Sequence, residues 1–89
     1  MISYSMWLEA REQRLNDYLD IVLNALNLDP KRGASTPLSS LNRRNLIEKI
    51  GSLEAFQKLP TRRRESIKSI ASGEYGTVLD IIKAMAGYE

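Results

Sequence analysis

The sequence predicts an all-α fold: one long N-terminal helix followed by a compact cluster of four short helices, in a single domain over residues 1–89. Three observations predict it. Apolar residues recur at helical spacing through most of the chain. Helix stops at Pro30, Gly51, Pro60, Gly73 and Gly87 divide it into helix-sized pieces. No segment alternates apolar and polar residues between turn signals, so no strand is expected.

The first expected element is a long amphipathic helix over residues 1–29. Leu8, Leu15, Tyr18, Leu19, Val22, Ala25 and Leu26 form its apolar stripe. Ser5 is its expected cap, with Glu9 and Glu12 early in the helix, and Asp29-Pro30 its expected stop. Met6 and Trp7 carry the apolar character toward the N-terminal end, where a short bundle cannot easily cover them. They either fold over the domain edge or meet another chain.

Residues 30–38 read as a loop rich in proline, glycine and small polar side chains. The four-helix cluster spans residues 39–88. Ser39 or Ser40 is expected to cap a helix carrying Leu41, Leu46, Ile47 and Ile50 and ended by Gly51. Ser52 is expected to cap a two-turn helix with Leu53, Phe56 and Leu59. Thr61 opens a basic helix to Ser72, with Ile67, Ile70 and Ala71 as its buried edge and Gly73 as its stop. Thr77 and Asp80 match a capping box, and Val78, Ile81, Ile82 and Met85 give the last helix one apolar face before Gly87.

Composition narrows the chemistry. Eighty-nine residues suffice for one domain with a modest core, and 43% apolar content is that of an ordinary folded chain. Cysteine and histidine are both absent, which removes disulfides, thiolate ligands, the cysteine nucleophile and the commonest general base and zinc ligand. Asp17 and Asp20 are an isolated carboxylate pair, and Gly73-Glu-Tyr-Gly76 is neither a phosphate loop nor a dinucleotide fingerprint. No catalytic residue, metal ligand, cofactor or small-molecule substrate is therefore expected. The apolar runs are too short to cross a bilayer, and Glu9 and Arg11 come too early for a signal peptide, so no membrane association and a cytoplasmic location are expected. Tyr4, Tyr18, Tyr75 and Tyr88 read as packing or rim aromatics.

The net charge of +2 conceals a gradient. Residues 1–31 carry a balance of −2, whereas residues 32–68 carry +6. A concentrated basic block steers anionic partners more strongly than the total charge does. Arg62, Arg63 and Arg64 crowd the start of the basic helix, where cations oppose the helix dipole. With Ile67 and Ile70 inward, Arg62, Glu65, Ser66 and Ser69 face outward, and Arg63 and Arg64 border the buried stripe.

The segment Ile67-Lys-Ser-Ile70-Ala-Ser-Gly73-Glu-Tyr, followed by Val78-Leu-Asp-Ile-Ile-Lys-Ala-Met85, resembles the core of Cro-type helix-turn-helix repressors over roughly residues 46–86. The resemblance implies Leu53–Leu59 as the supporting helix and Thr61–Ser72 as the recognition helix. The chain departs from the family in two ways. Phe56 or Gln57 stands where a small residue is usual, and Leu59-Pro60-Thr61 replaces the usual glycine turn.

The expected function is that of a small DNA-binding regulatory protein. Its expected DNA-binding residues are Arg43, Arg44, Lys58, Arg62, Arg63, Arg64, Ser66 and Ser69, with arginines at the helix start reading bases and the others holding phosphates. The alternative is a helical protein-interaction module acting through the long helix or the basic patch. In either case a homodimer or partner contact is expected at Trp7, Leu8 and Leu15.

Overall fold

The first helix, α1, runs over Tyr4–Ala25 and is capped by Ser3, whose hydroxyl accepts the Met6 amide proton at 3.3 Å. The computed structural model describes residues 3–88, so the expected start of this helix at residue 1 lies outside the described residues. The cap is thus Ser3 rather than Ser5, which lies inside the first turn. The helix also ends short of Asp29-Pro30. Asn27 adopts a left-handed backbone, φ 55°, and the Leu28 amide returns to the Leu23 carbonyl at 2.9 Å. The Asn27 amide meets the Asn24 carbonyl at 3.2 Å, which completes a Schellman ending with asparagine in the position glycine usually holds.

The expected loop contains a 3₁₀ turn at Gly33–Ser35, and a second, Leu38–Ser40, begins at its last residue. Ser40 therefore caps nothing beyond its own turn: its hydroxyl donates to the Pro37 carbonyl at 2.7 Å. Helix α2, Arg43–Gly51, is capped by Asn42, whose side chain accepts the Asn45 amide at 2.9 Å. Helix α3 is a single turn, Glu54–Gln57, with Leu53 at its cap position, so the expected two-turn helix is half its length. Ser52 closes α2 instead of opening α3, donating to the Lys49 carbonyl at 3.0 Å. Helix α4 is Thr61–Ser72, with Pro60 rather than Thr61 at the cap position.

Helix α5, Val78–Ala86, begins with the expected capping box, in which the Thr77 amide donates to Asp80 Oδ2 at 2.9 Å. Gly76 precedes it at φ 93°, where a Cβ would lie 2.5 Å from that carboxylate oxygen. Gly87 ends the helix in the left-handed region, φ 89°. Two backbone bonds, Leu38 amide to Gly76 carbonyl and Val78 amide to Thr36 carbonyl, tie the loop before α2 to the turn before α5. No strand forms among the described residues beyond this one bridge.

The core follows from α5. Val78, Ile81, Ile82 and Met85 are fully buried, and α5 packs against both α1 and α4. Val22 and Leu23 of α1, Leu46 and Ile50 of α2, Phe56, and Ile67 and Ala71 of α4 close around it. No polar side chain is fully buried among the described residues. The first two turns of α1 remain outside this core, because every residue from 3 to 10 is exposed.

Candidate nucleic-acid interface

The three arginines at the start of α4 diverge. Arg62 is exposed, whereas Arg63 and Arg64 are half-buried. The Arg64 guanidinium folds over its own helix start and donates to Thr61 Oγ1 at 3.0 Å, leaving its shielded Nε without a partner. Arg63 reaches across to the end of α5, where its Nη2 lies 3.4 Å from the position a Cβ on Gly87 would take. There the negative end of the α5 dipole receives it. The cost of placing cations at the α4 N-terminus is thereby offset in part within the molecule.

Helix α1 brings two further arginines to the same place. Trp7, Arg11, Arg14 and Tyr18 fall at i, i+4, i+7 and i+11, one face of the helix, with Glu9 and Glu12 on another. The Arg11 Nη2 donates to the Gly87 carbonyl at 3.1 Å, satisfying an acceptor that the helix end leaves open. Its guanidinium lies 3.9 Å from the Tyr88 ring centre and 5.1 Å from that of Trp7. Trp7, Arg11, Arg14, Arg63 and Gly87 line one cleft of about 430 Å³. Arg62 and Arg63, with Pro60 and Ser66, line the next. Arg63 is the wall between them. Among the described residues none of Arg11, Arg14, Arg62 and Arg63 forms an ion pair.

The remaining expected cations lie elsewhere. Arg43 borders the C-terminal end of α4 with Gly73 and Tyr75, and sits 3.9 Å from Glu74. Arg44 is exposed beside it at the start of α2. Helix α4 is about 18 Å long at 1.5 Å per residue, so the basic block of the sequence is split between its two ends. Lys58 pairs with Glu54 at 3.1 Å, and both side chains are largely exposed. Ser69 faces solvent as expected, but Ser66 is half-buried, because it shares the side of α4 that carries Arg63 and Ile70.

Trp7 and Leu8 are exposed at 45% and 36%, while Leu15 is half-buried and packs against the core. Sequence reasoning missed Arg11 and Arg14, since they sit in a segment of net negative charge. The signal that finds them is the i, i+4, i+7 spacing from Trp7 rather than local charge density. No family model, curated protein or solved structure matches the chain.

Proposed function

We propose that the protein is a non-enzymatic DNA-binding regulator that lays α4 against duplex DNA. One observation carries this reading: four arginines from two helices converge on adjoining clefts at the α4 N-terminus and form no ion pair among the described residues. Arg62, Glu65, Ser69 and Ser72 form an exposed face along α4, which a major groove about 12 Å wide admits. Arg62 at the leading end is the base-reading side chain, and Arg14 and Arg63 hold phosphates on one flank. Arg43 and Arg44 hold phosphates beyond the other end of the helix. A cytoplasmic location goes with this role. No helix among the described residues is long and apolar enough to cross a membrane.

Replacing Arg62 by alanine tests the assignment. Binding to a labelled duplex, followed by anisotropy, should weaken roughly tenfold, with the thermal unfolding midpoint unchanged because Arg62 touches nothing in the core. Unchanged affinity would remove α4 from the interface.

A second reading is a protein-interaction module that self-associates through α1. It is favoured by the exposure of Tyr4 at 75%, Met6 at 57% and Leu8 at 36% on turns beyond the core. A symmetric dimer through this end would also present two copies of α4 to two half-sites. Sedimentation equilibrium in the absence of DNA decides it, with a dimer supporting this reading and a monomer at high concentration opposing it.

A further inference from the structure

The N-terminal edge of α1 carries a ladder of flat groups that the core does not use. The Tyr4 and Trp7 rings stack at 6.1 Å between centres and 19° between planes. The Arg11 guanidinium lies over the Trp7 ring, 5.1 Å from its centre, and over the Tyr88 ring, 3.9 Å from its centre. The Arg11 hydrogen bond to the Gly87 carbonyl anchors the lower end to α5. The upper end is open, with Tyr4 75% and Trp7 45% exposed. Arg14 and Arg63 border Trp7 in the same cleft and carry positive charge that no carboxylate among the described residues neutralises.

Exposed aromatic rings beside unpaired cations match what an unpaired nucleic-acid strand requires: a face for the base and charge for the phosphates. A second copy of this chain fits the same cleft poorly. A symmetric contact centred on Trp7 would bring Arg14 and Arg63 of both copies together, and like charges across an interface disfavour it. We infer that the Tyr4–Trp7–Arg11–Tyr88 ladder is a stacking platform for single-stranded DNA, with a base on the open Tyr4–Trp7 end and its phosphates on Arg14 and Arg63. This rests on the reading of the chain as a DNA-binding protein, because Arg14 and Arg63 serve both surfaces. It adds a second occupant, an unpaired strand that takes Arg14 and Arg63 when a duplex backbone does not.

Trp7 is the single tryptophan of the chain, so its emission reports this cleft alone. The full chain is titrated with oligo(dT) of about 15 nucleotides, a length within the usual range of single-strand sites. Saturable quenching that weakens with added salt is expected. Tyr4→Ala, a change at an exposed ring, should weaken oligo(dT) binding roughly tenfold or more. The double variant Arg14→Ala, Arg63→Ala should flatten the salt slope by about 1.4. Circular-dichroism melts of each variant separate lost binding from lost fold. Duplex binding by the wild-type chain is read separately by anisotropy of a labelled duplex. Duplex binding without any effect of oligo(dT) on Trp7 overturns the platform and leaves the α4 reading standing. Quenching by oligo(dT) without duplex binding supports the platform and removes α4. A Trp7 emission shift with protein concentration alone, saturating before DNA is added, assigns the cleft to a second copy and overturns the inference.

Discussion

Arg62 and Arg63 are neighbours in sequence, yet they stand on different sides of α4 and do different work. Arg63, together with Arg11, meets the carbonyl end of α5, where a cation is favoured and an acceptor is otherwise open. Arg62 is exposed and borders only the open cleft it shares with Pro60, Arg63 and Ser66. Their contributions to stability should therefore separate. Arg11→Ala removes a charged hydrogen bond and two ring contacts, and should lower the free energy of unfolding by about 1–2 kcal/mol in urea denaturation. Arg62→Ala on the same assay should stay within about 0.5 kcal/mol of the unaltered chain. Equal effects would mean that Arg11 is not the tie between α1 and α5. At this scale the charges were legible and their partners were not. The sequence shows three arginines in a row, but only the meeting of the Arg11 and Arg63 side chains at Gly87 selects the one that joins Arg11 and Arg14.

Among the elements, α5 organises the rest, and it was the most legible. Its capping box, its apolar face and its terminal Gly87 all agree, and local signals that agree leave few alternatives. Because Ile82 is fully buried between packed helices, Ile82→Ala should cost about 2–5 kcal/mol, read from the shift in urea midpoint at constant slope. A loss below 1 kcal/mol would mean that α5 is not the centre of the core. The helix starts were less legible. Ser3, Ser5, Ser39, Ser40, Asn42 and Ser52 can all cap a helix by chemistry. Which of them does so depends on where the chain turns, and the 3₁₀ turn at Leu38–Ser40 moved the start of α2 to Asn42. The end of α1 carried a readable signal in Asn27, which tolerates the left-handed backbone that a Schellman ending needs. Pro30 drew attention away from it. The single turn of α3 is the element that matches the expected supporting helix least, with four residues where Leu53–Leu59 were expected.

The whole molecule measures 44 × 29 × 22 Å, and α1 accounts for the long dimension, since 22 residues make a helix of about 33 Å. The all-α plan, the long first helix and its uncovered N-terminal end were legible from helical spacing and from the stops. The layout of charge was not. A run of cations in sequence is a line, and folding wrapped this one around α4, so that Arg43 and Arg62 lie at opposite ends of one helix. Folding also carried Arg11 and Arg14 into a patch that their own acidic neighbourhood conceals in the sequence. The central claim is that this distributed charge holds a polyanion. The salt dependence of duplex binding tests it most directly, because each phosphate contact releases counterions and contributes about 0.9 to the slope of log K against log salt. With Arg14 and Arg63 on phosphates at one end of α4 and Arg43 and Arg44 at the other, anisotropy titrations between about 50 and 200 mM salt should give a slope of roughly −3 to −4. Absence of binding at the lowest salt with protein at tens of micromolar, or an affinity that does not change with salt, would contradict it.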